Sequence, residues 1–461
     1  MSLAVALWID DADYIDDRSE EALAYLLSLL DRLGVRATFK IVGKKARTLR
    51  DHGRTDIIRA LCRHDICYHS DLHSFHPTVT EYTENLSFRE GAAEFEKREM
   101  GGFDDLREIF GREIVGYGQP GESFAPDVFP VLRKYGADVN LDDHFILNVD
   151  GMAFSYGGVL NFNRVGRIMR YDYRSPSGME EAKQTVEELA NTAYGRDYPE
   201  KVRLFSVFYH PSEFFSSEAL GDYYNFRGGK NLAYDEDGQF KGYTLPPAWG
   251  REKEHENIER VGEFLQYLSD KGASFVTASD LRRMQIRRNG FIGKQDAQAL
   301  AAAYADGNIS FSDIGGEYVS ASEGFALLSQ YLLGKPLHPY LIYGPEKREP
   351  SVIPDHAAVT CEDVSAAMAE HDMIMGYPQL QSLYRVGDCM LSPTDLLATA
   401  AYLIKSGKSS CMPVRGTNLF ERHVCGSDDW SGRWLFGEDF HVPNTYEKTR
   451  LQCWTLKPVR Y

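Results

Sequence analysis

A chain of 461 residues with a net charge of −17 lacks the basic excess needed to hold a nucleic-acid backbone or an anionic membrane as its main partner. A hydrophobic content of 43% and a charged content of 26% describe a globular chain with a real core; the length suggests two or three domains, and no apolar stretch is long enough to span a bilayer. Seven cysteines, an odd count without a Cys-x-x-Cys pair, argue against a disulfide framework, so a cytoplasmic location is expected, with export after loss of a signal as the alternative.

Over the first ~290 residues, β-rich runs alternate with helical stretches, the pattern of a parallel α/β fold. The runs are Ala4 to Ile9, Ala37 to Val42, Asp65 to Tyr68, Glu113 to Tyr117, Ala137 to Leu141, Leu204 to Tyr209 and Ala273 to Thr277. Between the first two, Ala22, Leu23, Leu26, Leu27, Leu30 and Leu33 make an apolar stripe at helical spacing, with Ser19 as the expected N-cap and Gly34 as the stop. Further helices are expected over Thr55 to Arg63, Phe88 to Phe110, Pro126 to Tyr135, Met179 to Thr192 and Glu256 to Lys271. The long segment from Tyr209 to Glu256 reads as a lid or binding loop, with a mobile segment as the alternative.

Beyond Arg288 the character changes. A helix of small residues over Gln295 to Ala305 is followed by Val319-Ser-Ala-Ser-Glu-Gly-Phe-Ala-Leu-Leu, which recurs loosely as Leu391-Ser-Pro-Thr-Asp-Leu-Leu-Ala-Thr-Ala. This suggests a two-copy helical repeat. The expected organisation is a (β/α) barrel over residues 1–290 and a smaller, mainly α-helical C-terminal domain over 291–461. The aromatic tail from Trp430 to Tyr461 is expected to pack back on a domain.

Chemistry concentrates where strands end, as it does in parallel barrels. The run Tyr68-His69-Ser70-Asp71-Leu72-His73 places two histidines four apart, a spacing that on a helical turn puts both imidazoles on one side. Two neutral imidazoles and a carboxylate make a three-ligand metal site with room for water. The candidate carboxylates close the first run, in Trp8-Ile9-Asp10-Asp11-Ala12-Asp13. Gln119, Asp142 and Asp143 follow two other strands, and His210 follows Phe205-Ser-Val-Phe-Tyr209. Plainer readings attach to other residues: His76 as a loop histidine, His64 as structural, His144 as surface or supporting, His255 in a solvated helix start, Cys67 as a buried strand residue, and Asp13 as a loop cap or a support for the site.

In this order, Asp10-Asp11, His69-Ser70-Asp71-Leu72-His73, His210 and the closing Phe275-Val-Thr-Ala-Ser-Asp-Leu281 resemble the motifs of the NodB-homology polysaccharide deacetylases, carbohydrate esterase family four. The resemblance covers Ala4 to Leu281 and implies a distorted barrel of about seven strands. It also implies that Asp11, His69 and His73 hold one divalent ion, zinc foremost with cobalt or nickel as alternatives, that Asp10 takes the proton of water, and that His210 protonates the leaving amine. Gln119, Pro120, Glu122, Asp142 and Tyr209 are the residues expected to line the substrate. The implied activity is hydrolysis of an N-acyl amide, foremost deacetylation of an N-acetylated sugar or polysaccharide; a small non-sugar amide and a non-catalytic glycan-binding role are the alternatives. Two departures stand out. Ala12 replaces the family's glycine, and Gly118-Gln119-Pro120-Gly121 replaces Arg-x-Pro-aromatic, so the arginine that normally steers the base is absent.

Overall fold

The computed structural model describes residues 2–142, 145–163, 168–169, 171–191, 202–216, 225–285 and 292–461. The architecture is built around β1 (Ser2–Asp11), whose apolar residues face both ways, as a parallel strand covered on both sides requires. Ala4, Ala6 and Trp8 turn to the inside of a curled sheet with Cys67, Val139, Leu141 and Phe208. Val5, Leu7 and Ile9 turn outwards into the helical layer.

One edge of β1 pairs along its length with β9 (Val202–Tyr209). The other edge is shared: β10 (Ser274–Val276) takes Ala4 to Ala6, and β2 (Thr38–Ile41) takes Trp8 to Asp11. The sheet then continues in parallel through β3 (Asp65–Tyr68), β4 (Gly116–Tyr117), β5 (Val139–Asp142) and β7 (Val159–Asn163), and on the far side of β9 through β8 (Ile168–Met169). β6 (Phe154–Tyr156) lies antiparallel to β7, and the C-terminal Lys457–Pro458 pairs with β6. This is the α/β barrel architecture expected, open among the described residues and with its strand ends gathered at one rim.

All seven expected runs contain strands. The hairpin of β6 and β7 and the short β8 are additional. The hairpin turns on Gly157 and Gly158, both in the left-handed region at φ 60° and 78°.

The first helix, α1 (Arg18–Leu33), buries the expected stripe and ends at Gly34, φ 64°. Its N-cap is Asp17, not Ser19. Ser19 is buried within the first turn, where its hydroxyl donates to the Asp13 carbonyl (2.8 Å) and accepts from Lys45 Nζ (2.6 Å). The helix expected from Glu256 begins earlier, at Arg251, so His255 lies within it and stacks on Tyr25 with ring centroids 3.8 Å apart.

The C-terminal part carries helices Lys294–Tyr304, Ala321–Leu332, Cys361–Met368 and Pro393–Ser406, interleaved with two-stranded hairpins. Each of the two segments expected to repeat is a hairpin feeding a serine-capped helix. Ser312–Val319 leads to Ser320, which caps through the Glu323 N–H, and Tyr384–Leu391 leads to Ser392, which caps through the Asp395 N–H. A further hairpin, Asp372–Gln379, precedes the second of these segments.

The boundary expected at residue 290 lies outside the described residues. The two parts share one apolar core. The tail seals them: helix Pro443–Gln452 sends Lys448 Nζ to Asp127 Oδ1 at 2.8 Å, both groups buried, and its Thr445 binds the Glu84 carboxylate. Burial pushes the Asp127 carboxyl up to about 6 against the pull of Lys448. Lys448→Ala strands that carboxylate and should cost roughly 3–5 kcal/mol in denaturant unfolding, while Asp127→Asn in the same chain should recover part of the loss.

Candidate active site

The site lies at the carboxyl-end rim of the sheet. Strand alternation sends the two adjacent aspartates in opposite directions. Asp10, on the inner face with Trp8, places Oδ2 3.0 Å from Lys40 Nζ and 3.8 Å from His210 Nε2. Asp11, on the outer face with Ile9, faces Lys45, whose Nζ is 4.0 Å from Oδ1. Neither Asp11 oxygen has a hydrogen-bond partner, and Asp10 Oδ1 has none either. Burial alone would raise the pKa of Asp10, but Lys40, His69 and His210 outweigh it and lower it to about 2. For Asp11, burial wins over Lys45, and with Asp13 and Glu20 nearby the carboxyl is pushed up to about 6.

His69 follows β3. Its Nδ1 lies 2.6 Å from the Gly118 carbonyl, which can only accept, so Nδ1 carries the proton and Nε2 keeps its lone pair. Burial, reinforced by Lys40, pushes the imidazole well below its usual range and keeps it neutral. His73 stands beside it with ring centroids 5.0 Å apart. The segment joining them is a loop and not the helical turn expected: Ser70 and His73 are left-handed at φ 62° and 55°. The loop is held by the Ser70 hydroxyl, which accepts from the His73 N–H at 2.9 Å, and by the Gly43 and Lys44 N–H groups, which donate to the Ser70 and Asp71 carbonyls.

His210 ends β9 with Nδ1 2.6 Å from Glu213 Oε1, so its ring is braced by one carboxylate and faces another. Its side chain is the most open of this group, 18% exposed against 7% for Asp10 and 3% for Lys40.

The structure does not bring Asp11 to His69 and His73. Among the described residues, only Asp17, Glu20 and His52 place three ligand atoms within 4.8 Å of one another. That trio is explained without an ion, because His52 Nδ1 binds Glu20 Oε1 at 2.8 Å and Arg54 binds Glu20 Oε2 at 3.2 Å. The three residues expected to hold a metal therefore do not fit one shared ion: the carboxylate is on the wrong face of its strand and already beside an ammonium.

The residues expected to line substrate divide similarly. Gln119 is buried at the rim with its Nε2 lacking a partner, and Pro120 is buried next to it. Glu122 is occupied by Arg433 at 2.9 Å. Tyr209 points into the helical layer, where its hydroxyl donates to the Tyr171 carbonyl and accepts from the Tyr171 N–H; it is structural, because the residue before it, Phe208, takes the inner face. Asp142 ends β5 at the same rim, and its side chain lies outside the described residues, as does all of His144. His76 is pinned by Glu81 and the Phe226 carbonyl, His64 accepts from the Ala37 N–H, and Asp13 caps its own turn.

Four contributors were missed in sequence. Lys40 and Lys45 carry the charges facing the aspartates; a lysine inside the apolar run Ala37-Thr-Phe-Lys-Ile-Val42 was the available signal, because a central parallel strand buries both faces. Glu213 follows His210 by three residues. Trp434 comes from the tail and was signalled by nothing local. Its ring lies 6.4 Å from His73, and its partly exposed indole occupies the space that a Cβ on Gly121 would need.

No family model and no curated protein matches the chain. Solved structures to which it is similar include a family 4 acetyl xylan esterase from Clostridium thermocellum in complex with a cobalt ion, at 17% identity and TM-score 0.32 over 61% of this chain and 91% of that one. A Xyl-CE4 domain of a multidomain xylanase from the hindgut metagenome of Trinervitermes trinervoides aligns at 14% identity and TM-score 0.31, over 61% and 91%. A CE4-family pseudoenzyme from Bacillus anthracis aligns at 14% identity and TM-score 0.33, over 61% and 65%. These are the family whose motifs the sequence resembles. At such identities and TM-scores the likeness decides nothing about activity.

Behind the histidine loop, Glu99 accepts from the Tyr68 hydroxyl and the Asp71 N–H, each at 2.8 Å, and burial pushes its carboxyl up to about 7. A raised carboxyl pKa favours the folded state at low pH, and that contribution is lost as pH climbs from about 4.5 through about 7. Glu99→Gln should match the parent near pH 4 and exceed its unfolding free energy by about 3 kcal/mol at pH 8, as read from urea melts across that range.

Proposed function

We propose that the barrel rim is a hydrolase site for an N-acyl amide, with an acylated amino sugar as the foremost substrate class. The observation that carries this reading is the facing pair of Asp10 and His210, 3.8 Å apart, with Glu213 behind the imidazole. Atoms at that separation can both reach one oxygen at about 2.8 Å. Asp10, ionised at working pH, accepts the proton of an attacking water. His210, braced by Glu213 and facing Asp10, delivers a proton to the amine nitrogen as the C–N bond breaks. The Gln119 amide, buried with an unused N–H, is a donor for the charge that develops on the carbonyl oxygen. No step is assigned to a metal.

Trp434 supports a sugar, since its partly exposed indole offers a pyranose ring a flat face next to His73. Asp10's lowered pKa supports a second reading. A carboxylate at about 2 is a weak base, and a site held by Lys40 in that state could recognise a glycan without turning it over.

Release of acetate from acetylated chito-oligosaccharides and from small N-acetyl amides tests these readings together. Turnover of the oligosaccharides is expected, with His210→Ala lowering kcat about 10²–10⁴-fold. Trp434→Ala should raise KM roughly two- to tenfold with kcat nearly kept. Turnover of the small amides alone would move the substrate class, and saturable glycan binding without acetate would establish the second reading.

A further inference from the structure

Register, packing and space together fix a buried lysine against Asp10 at the rim. Lys40 is the β-sheet partner of Asp10 and shares its face. Its Nζ lies 3.0 Å from Asp10 Oδ2 and 5.5 Å from the Trp8 ring centroid, and its side chain is 3% exposed. Room for it is made by Gly118: a Cβ there would stand 2.3 Å from Lys40 Cδ and 3.0 Å from Nζ. Across the strand, Lys45 is buried too, donating to the Asp13 carbonyl (2.8 Å) and Ser19 hydroxyl (2.6 Å) with Asp11 4.0 Å away. Two carboxylates thus meet two ammonium groups, and the charge is balanced by the chain itself.

We propose that the Lys40 ammonium, held on Asp10, is the fixed cation of this site and that the barrel rim takes up no divalent metal ion. A dication near His69 would face the ammonium at close range in a medium of low dielectric constant, and it would have to take Asp10 from it. Asp11 cannot substitute, because its carboxylate lies on the other face of β1. This inference does not depend on the hydrolase reading, and its readout is ion binding.

The test is titration of the full chain with Co²⁺, followed by visible absorption and equilibrium dialysis, in a His52→Ala background that removes the Asp17–Glu20–His52 trio. No ion is expected to bind. In the same background, Lys40→Gln should gain roughly tenfold or more in Co²⁺ affinity, and the gain should vanish with His69→Ala, while Lys40→Arg should exclude the ion as the parent does. About one Co²⁺ per chain in the background protein, lost with His69→Ala, would overturn the proposal whatever the enzyme's activity. So would a folded Lys40→Gln protein, checked by circular dichroism, whose Co²⁺ affinity equals the parent's. Should Lys40→Gln not fold, the background titration decides alone.

Discussion

Two consecutive side chains of one strand cannot face the same way, and this constraint organises the site. With β1 extended through Asp11, the pleat turns Asp10 into the barrel and Asp11 out towards α1. Each buried carboxylate then needs its own compensation, and each has a lysine: Lys40 on the inner face and Lys45 on the outer. The outcomes differ because the contacts differ. At 3.0 Å, Lys40, together with His69 and His210, outweighs the cost of burying Asp10, whereas at 4.0 Å, with hydrogen bonds committed elsewhere, Lys45 does not do the same for Asp11.

The same constraint sorts the remaining rim residues. On β9, Phe208 takes the inner face, so Tyr209 is outside and His210, one step further, returns to the rim opposite Asp10. On β2, Lys40 is inside, and Phe39 and Ile41 are in the helical layer. A carboxylate, its ammonium partner and a histidine are thereby brought together by the ends of three neighbouring strands. The histidine pair is different. His69 is set by β3, but His73 depends on a left-handed turn at Ser70 and on the loop's attachment to Gly43, Lys44, Arg47 and Glu99.

Much of the fold was legible because parallel strands buried on both faces leave continuous apolar runs, and seven such runs sit at the observed strands. The β6–β7 hairpin is harder to read: its strands are only three and five residues long, and the Gly157-Gly158 turn is its one local signal. In the site, residue types were readable but directions were not. Asp10-Asp11 and His69/His73 stand out in the sequence. Which aspartate shares a face with which histidine depends on where β1 stops, and the extra residues of strand through Asp11 decide that. The lysines are legible only in part: Lys40 is flagged by the apolar run around it, and the register of β2 against β1 sets it beside Asp10, whereas Lys45 lies on the helix Gly43–Asp51 and reads as solvated surface in the sequence.

The tail could not be read locally at all, and it changes what the rim is. The segment around Trp430 to Phe440 is held from two sides. Arg433 pairs with Glu122 on the loop after β4, and the Gly228 and Gly229 N–H groups of the long insertion donate to the Trp434 and Leu435 carbonyls. The insertion is itself clamped to the histidine loop by the reciprocal bonds between Asn231 and His76. One wall of the site, Trp434 beside His73, is thus contributed by the last part of the chain. The same stretch of chain is anchored further on by the Lys448–Asp127 pair and by the pairing of Lys457–Pro458 with β6, so the C-terminal part borders the rim as well as sharing the core.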